Sequence, residues 1–212
     1  MRRCKRLRRL RGMFTKRVSR LDQRVRFISR RGANKDRDLV VSYATIEALN
    51  AWNLFSRSFY LSCALGAQTE RKRLITILIT SDPLGSAITH IKSYARPNTS
   101  GVWNRRDEPA WHDPIVLMKV CQNLGCSNYS QIQLAFSLGQ NVFKDLPIFR
   151  NFYAHRNEQT LGAAKNIAPR YILPTYLSPT EILLSVSPGK TESVILEWFV
   201  EMLITADFLC KS

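Results

Sequence analysis

The chain has 212 residues, 45% of them hydrophobic, which suits one ordinary globular domain with an extension. It contains no apolar run of about 18 residues and no signal-peptide core, so we expect neither a membrane-spanning helix nor a secretory leader. Of the formal net charge of +16, residues 1–38 carry +13 and the remainder carries +3. A polyanionic partner is therefore expected for the N-terminal segment.

The first 31 residues have the pattern of a basic amphipathic helix. Apolar residues recur at steps of three and four, and the other faces are almost entirely Arg and Lys. These apolar residues are Leu7, Leu10, Phe14, Val18, Leu21, Val25 and Ile28. Three interpretations stay open: a helix that packs on the main domain or on a second subunit while its arginines hold RNA phosphates, a mobile tail, or a transit peptide or membrane-surface anchor. We treat residues 1–34 as this extension and residues 35–212 as the main domain.

A long helix is predicted after a break near Gly32. It begins at Asp36 or Asp38 and extends to about Cys63, with helically spaced apolar residues that indicate core. A polar row on the same helix includes Asn53 and Arg57. This row is either a solvated face or one wall of an RNA-binding cleft.

The middle of the chain contains three predicted helices, an ambiguous apolar stretch and a polar loop. Helices are predicted at Asp82-Pro83 and Asp113-Pro114, and another runs from Ser127 or Asn128 to about Phe143. The stretch 74–79 is apolar and fits either a strand or a helix. The loop 96–109 contains Arg105 and Arg106 among tryptophans. These arginines are candidate RNA-binding residues, and the tryptophans either stack bases or pack on the core.

The stretch 145–157 is the most informative part of the chain. Asp145 is predicted to cap a helix with Pro147 in its first turn, and the helix is expected to continue to Ala168. At about 100° per residue, two faces of this helix separate. The apolar face holds Phe149, Phe152 and Tyr153, and the polar face holds Arg150, Asn151, Ala154 and His155.

The polar face of this helix has the chemistry of a phosphodiester site. His155 can take and return a proton near neutral pH. Arg150 offers a planar fork of donors suited to phosphate oxygens. Asn151 lies one turn before His155 and can orient a hydroxyl group or the imidazole. Arg156, the next basic residue, is a further candidate RNA contact.

The C-terminal part of the chain is expected to return to helix after a proline-rich segment. Residues 179–184 fit a short helix or strand, and Thr191 is predicted to cap a last apolar helix that is buried in the domain or at a dimer interface. Five cysteines without a C-x-x-C pair indicate buried thiols in a reducing compartment, so we expect a cytoplasmic protein. The three histidines have no metal-ligand spacing, and neither a metal nor another cofactor is predicted.

The sequence Arg150-Asn-Phe-Tyr-Ala-His155 resembles the R-x4-H motif of HEPN-domain ribonucleases. The resemblance implies an all-α, HEPN-like helical bundle that forms a homodimer with two facing motifs. It also implies metal-independent cleavage of RNA by the 2′-hydroxyl, with Arg150, Asn151 and His155 as catalytic residues and a 2′,3′-cyclic phosphate as the product. HEPN toxins inactivated by nucleotide transfer have a Tyr where this chain has Asn157, so we do not expect that regulation.

The biological role implied by the resemblance is that of a toxin or phage-defence effector, with RNA as substrate and an antitoxin or defence-system protein as a possible partner. Two alternatives belong to other classes. One is a non-catalytic RNA-binding or other nucleic-acid-binding module with a basic N-terminal arm. The other is an interaction domain held on a membrane surface or in an organelle by residues 1–31.

Overall fold

The protein is all-α, as the sequence predicts. The computed structural model describes residues 6–31, 36–78, 81–92 and 108–211. Within these ranges the only β-pairing consists of three isolated bridges. A short 3₁₀ helix spans Ala168–Tyr171. The α-helices of the described residues are α1 (Leu7–Ser29), α2 (Arg37–Ala64), α3 (Pro83–Lys92), α4 (Pro114–Asn123), α5 (Tyr129–Phe136), α6 (Val142–His155), α7 (Glu158–Lys165), α8 (Pro179–Leu184) and α9 (Val194–Lys211).

Internal contacts divide the chain into two compact units. The first unit comprises residues 1–14, 52–139 and 205–212, and the second comprises residues 15–51 and 140–204. Helices α1, α2 and α9 therefore contribute residues to both units. A domain boundary between residues 34 and 35 stays a prediction.

Aromatic side chains form the core of the first unit. Phe14 of α1 packs on Phe55 of α2 with ring centroids 4.8 Å apart, and on Trp52 at 5.6 Å. Phe136 of α5 meets Trp52 edge-on at 6.4 Å. Because offset and edge-on aromatic pairs are favourable beyond their buried area, this cluster joins α1, α2 and α5 within the unit.

The second unit has its core around Trp198 of α9. Phe149 of α6 packs edge-on against this indole at 5.4 Å, and Tyr171 of the 3₁₀ helix lies 6.2 Å from it. Trp198 and Phe149 are fully buried, and most of the apolar side chains of α9 are buried as well. The predicted buried position of the last helix is confirmed, although the helix begins at Val194 and not after Thr191.

Helix α1 is an ordered element whose apolar stripe is buried. All seven stripe residues have at most 7% of their surface exposed. Three arginines beside the stripe pair with carboxylates of their own unit: Arg11 with Glu70 and Asp207, Arg17 with Glu47, and Arg26 with Asp22 and Glu192. The interpretation that this helix packs on the rest of the chain is confirmed for residues 7–29, and the mobile-tail interpretation is wrong for them. Burial of the stripe provides the physical reason.

Two predicted caps are confirmed. Asp113 accepts a hydrogen bond from the Ile115 N–H at 2.8 Å at the start of α4, and Gly125 follows that helix with φ of 67°. Asp82 likewise accepts from the Gly85 N–H at 2.9 Å before α3. Short polar side chains in these positions accept hydrogen bonds from backbone N–H groups of the first turn, which have no partner within the helix.

Other boundaries differ from the sequence prediction. Helix α5 ends at Phe136, because Gly139 adopts a left-handed turn with φ of 65° that interrupts the helix expected to reach Phe143. The stretch predicted as strand or helix at residues 74–79 is neither over the described residues 74–78. Its backbone groups pair singly, Ile75 N–H with the Ala67 carbonyl and Leu78 N–H with the Leu124 carbonyl.

Candidate active site

Helix α6 presents the motif residues on its solvent side. Asn151, Ala154 and His155 are exposed and Arg150 is half-buried. Phe149 and Tyr153, on the opposite side, are buried with 0% and 6% of their surface exposed. The predicted separation of the two faces is confirmed, since residues that fall together at 3.6-residue periodicity share one environment.

The start of α6 differs from the sequence prediction. The helix begins at Val142, so Pro147 lies inside it and Asp145 is a buried residue of its first turn instead of its cap. The Val142 N–H is satisfied by Glu201, at 3.0 Å, in place of a capping side chain. Asp145 is a residue type that often caps helices, but a capping residue must stand at the N-terminal boundary of its helix. Here the helix begins at Val142, so Asp145 lies inside it.

Asp145 belongs to a buried hydrogen-bond network. Its Oδ1 accepts from the Arg170 guanidinium, and its Oδ2 accepts from the Tyr171 hydroxyl at 2.8 Å. The Tyr171 oxygen in turn accepts from the Trp198 indole N–H at 2.7 Å. Burial raises the pKa of Asp145, while the bonds from Tyr171 and Arg170 partly oppose that rise. The network connects the first turn of α6 to the 3₁₀ helix and to α9.

The end of α6 falls directly after His155. Arg156 adopts a left-handed conformation with φ of 47° and donates its N–H to the Phe152 carbonyl at 2.7 Å. Asn157 then caps α7 by accepting from the Thr160 N–H at 2.9 Å. The expectation that the motif helix continues to Ala168 is therefore wrong. A left-handed residue other than glycine costs about 1–2 kcal/mol, so surrounding contacts must hold this conformation.

Arg156 is held in place by a carboxylate and by aromatic rings. Its Nη2 donates to Asp38 Oδ2 of α2 at 2.7 Å. Its guanidinium carbon lies 5.6 Å from the Tyr153 ring centroid and 6.0 Å from that of Phe152. The predicted RNA-contact residue Arg156 is thus engaged in a surface ion pair that fixes the last turn of the candidate helix.

A hydrogen-bond relay continues from Asp38 to α8 and back to α6. Thr180 Oγ1 donates its single proton to Asp38 Oδ1 at 2.6 Å. The Tyr153 hydroxyl, 2.9 Å from Thr180 Oγ1, must therefore be the donor in that pair. Although burial alone opposes the ionised form, the bonds from Thr180 and Arg156 lower the pKa of Asp38. An ionised Asp38 therefore connects α2, α6 and α8.

The guanidinium of Arg150 faces solvent beside Asn151. Nη1 of Arg150 lies 3.3 Å from Oδ1 of Asn151 and donates to it. No carboxylate in the described ranges pairs with Arg150. Its charge is thus available to an external anion. The five-residue offset between Arg150 and His155 corresponds to a rise of about 7.5 Å along the helix.

His155 is exposed, and it forms no hydrogen bond with any described part of the chain. Asn151 donates no bond to it, so the structure offers no support for orientation of the imidazole by Asn151 within one chain. The remaining prediction for Asn151 is orientation of a substrate hydroxyl group. The ring is therefore accessible to a ligand or to a second protein chain.

The other candidate RNA-binding residues belong to different surroundings. Arg57 and Asn53 are part of the first unit, whereas the motif belongs to the second. Arg57 Nε donates to Glu108 at 2.5 Å, and the same carboxylate accepts from the buried Trp111 indole at 2.7 Å. Asn53 Oδ1 is buried and has no hydrogen-bond partner among the described residues. Packing on the core is confirmed for Trp111, while Arg105, Arg106 and Trp103 lie outside the described residues.

Residue type did not identify two of the groups that position this site. The sequence pattern predicts Asp38 only as a helix cap, and Thr180 only as part of a short helix or strand. They are separated from each other by 142 residues and meet only in the folded chain. A hydrophilic residue in the first turn of a helix is compatible with many roles, so no local signal indicates that Asp38 and Thr180 bond to each other.

Among the described residues, no helix combines the length and apolar character that a bilayer span requires. In the same ranges, no three His, Cys, Asp or Glu side chains converge as a metal site. Comparisons with protein families, curated proteins and solved structures each found no match to this chain.

Proposed function

We propose that this protein is a metal-independent endoribonuclease of the HEPN type, in which Arg150, Asn151 and His155 form the catalytic set. The observation that supports the proposal is that the Arg150 guanidinium and the exposed His155 imidazole lie on one face of α6, with neither engaged in an ion pair within the described chain. Catalytic side chains of a hydrolytic site must reach the substrate, whereas structural ones are usually committed to internal partners.

The chemistry follows from the residue types. His155 removes the proton of the ribose 2′-hydroxyl, or gives one to the departing 5′-oxygen. The 2′-oxygen attacks the adjacent phosphorus, the bond to the 5′-oxygen breaks, and the products are a 2′,3′-cyclic phosphate and a 5′-hydroxyl end. Arg150 stabilises the negative charge that develops on the phosphoryl oxygens. Asn151 orients the attacking hydroxyl.

An in-line displacement needs an acid and a base on opposite sides of the phosphorus. One chain supplies a single motif histidine, so two chains related by a two-fold axis would supply both groups. The exposure of His155, the last residue of α6, supports such an arrangement. A toxin or defence role with a neutralising partner in the cytoplasm is the biological setting implied by the family resemblance.

The test is cleavage of a long RNA in excess EDTA. Activity should persist, and His155→Ala should lower turnover by roughly 10²–10⁴-fold, the usual contribution of a positioned acid or base. His90→Ala on α3 of the other unit provides a matched histidine control. Because the exposed His155 makes no hydrogen bond with the described residues, its removal should leave the thermal midpoint unchanged. End-group analysis of the cleaved RNA should find cyclic phosphate ends with the wild-type protein and none with His155→Ala. A wild-type dimer that cuts no RNA would contradict the proposal.

A mixing experiment tests the two-chain site. If both histidines are required, equal amounts of wild-type and His155→Ala chains that exchange subunits retain about one quarter of the wild-type activity per total dimer. Independent sites would retain about one half.

A non-catalytic RNA-binding module is the second candidate, and the exposed arginines of α1 favour it. In that case wild type and His155→Ala bind RNA equally and neither cuts it. An enzyme instead loses turnover and keeps binding when His155 is replaced.

A further inference from the structure

The second unit carries an exposed row of cations on α1 that its internal ion pairs do not neutralise. Lys16, Arg20 and Arg24 recur at intervals of four residues and are exposed. None of the three has a carboxylate partner among the described residues, in contrast to Arg17 and Arg26 of the same helix segment. A helix repeats its face about every 3.6 residues, so these cations line one side of α1.

Two exposed aromatic rings lie against guanidinium groups of the same unit. Phe27 is 55% exposed and Tyr43 of α2 is 45% exposed. The guanidinium carbon of Arg24 lies 5.0 Å from the Tyr43 centroid, and that of Arg31 lies 4.1 Å from the Phe27 centroid. Each ring is therefore stacked with a guanidinium group at the protein surface.

The same residues border an open pocket. Arg20, Gln23, Arg24 and Phe27 line a depression of about 350 Å³. We call the set Arg20, Gln23, Arg24, Phe27, Arg31 and Tyr43 the Arg–aromatic surface. It combines arginine cations, one amide group and two Arg–aromatic pairs within one unit.

We propose that the Arg–aromatic surface binds single-stranded RNA. Unpaired bases stack on the aromatic rings and on the guanidinium planes, and Arg20 and Arg24 hold the phosphates. The proposal deepens the ribonuclease function by naming where the unpaired substrate strand is held, and to that extent it rests on that function. None of these six residues belongs to the motif of α6.

A membrane surface is the competing partner for a basic helix, and the burial of α1 argues against it. An interfacial helix inserts its apolar face into the lipid, but that face is occupied here: Val18, Leu21 and Val25 are at most 3% exposed. What remains exposed is the charged side with isolated rings. This composition suits a phosphodiester strand with stackable bases.

The experiment measures binding of labelled oligouridine by fluorescence anisotropy in the full-length His155→Ala protein, at several salt concentrations. Phe27→Leu with Tyr43→Leu keeps the apolar character but removes the rings, and it should weaken single-strand binding by about fivefold or more. Arg20→Ala with Arg24→Ala should reduce the slope of log affinity against log salt by about 1.4. Affinity for a duplex should not respond to the ring substitutions, since its bases are already stacked.

The matched control is Arg71→Ala with Lys119→Ala. It removes two exposed cations of the other unit that form no ion pair in the described ranges. This variant should retain the wild-type salt slope, and an equal loss of slope would overturn the proposal. The proposal would also be overturned if the variant without both rings bound single strands as tightly as the protein that retains them. A third contrary result would be arginine variants that lose binding only to phosphatidylserine vesicles. Unchanged thermal midpoints verify that each variant is folded.

The two proposals can fail separately. If the wild-type protein cuts no RNA but the His155→Ala protein binds oligouridine through the Arg–aromatic surface, the ribonuclease proposal is wrong and this one stands. If the wild-type protein cuts RNA and the ring variant binds it normally, the reverse holds.

Discussion

Arg156 determines where the candidate active-site helix ends. Its backbone is left-handed, and its guanidinium is fixed by Asp38 and by the Tyr153 ring. A left-handed residue that is not glycine is maintained only where surrounding contacts offset its cost. As a consequence His155 is the last helical residue, and its imidazole extends from a defined helix end instead of lying along a continuous helix.

Tyr171 is the central residue of the buried network below α6. We expect Tyr171→Phe to lower the free energy of unfolding by about 1–3 kcal/mol, because it leaves the Trp198 N–H and one Asp145 oxygen without a partner. Thermal or urea unfolding followed by circular dichroism measures the change. Tyr176→Phe is the matched control, since Tyr176 is 80% exposed. Equal midpoints for both variants would show that the network contributes no stability.

At the scale of elements, helix α1 is part of the fold. Its apolar stripe contributes to the buried interior, and three of its arginines pair with acids from other parts of the chain. Hydrophobic burial of a stripe repeated over six turns is a larger stabilisation than the paired surface charges supply. Removal of this helix should therefore disrupt folding, and with it the RNA binding that we propose.

Two substitutions on α1 test this view. Leu21→Ala should destabilise the protein by about 2–5 kcal/mol, since Leu21 is 3% exposed and its truncation leaves a cavity. Met13→Ala on the same helix should change stability by no more than about 0.5 kcal/mol, because Met13 is 62% exposed. Urea unfolding gives both values. Indistinguishable midpoints would mean that α1 does not pack as described.

Because ionised Asp38 connects α2, α6 and α8, we expect the stability of the protein to fall at acidic pH. The pKa of Asp38 is lower in the folded chain than its ordinary value of 3.8, so the folded state binds fewer protons than the unfolded state. The resulting stability is fully present above the ordinary value and is lost as the pH falls through the lower, folded value.

Asp38→Asn removes this linkage. The wild-type protein should be more stable than Asp38→Asn at neutral pH, and the difference should shrink as the pH approaches the folded pKa of Asp38. Urea midpoints measured along a series of falling pH values provide the readout. Glu158→Gln, which removes an exposed carboxylate at the start of α7, is the control. A difference that is constant with pH would exclude a role for Asp38 ionisation.

At the scale of the whole molecule, residues 7–29 of the basic N-terminal segment form a helix that belongs to the fold. Part of its charge is neutralised by acids distant in sequence, such as Glu192 for Arg26, and part remains exposed on α1. The unpaired part gives long-range attraction to polyanions, which is screened by salt. RNA affinity is therefore expected to depend on ordered residues of α1 as well as on the residues that precede them.

The cysteines offer a test of the core of the first unit. Cys63, Cys121, Cys126 and Cys210 are buried and form no disulfide bond among the described residues, and burial raises the pKa of Cys63 and of Cys121. In the Cys4→Ser variant we expect no thiol to react rapidly with a disulfide reagent in the native state and all four to react in guanidinium chloride. Rapid native reaction would show that this core opens or is exposed.

The sequence by itself was sufficient for the features that depend on local pattern. The all-α class, the amphipathic stripe of α1, the caps at Asp82 and Asp113, and the two faces of α6 follow from periodicity and from the hydrogen-bonding needs of a helix end, which are properties of neighbouring residues. The R-x4-H motif and its HEPN interpretation also came from the sequence, and they stay a prediction for the experiments above.

Only the tertiary structure decided the limits of α6 and the partners of its charged neighbours. Asp145 is a buried acceptor instead of a cap, and Arg156 pairs with Asp38, 118 residues away in sequence. A carboxylate or guanidinium can satisfy its hydrogen bonds in many ways, and the choice depends on which groups the folded chain brings within about 3 Å. Residue type restricts those possibilities, and long-range packing selects among them.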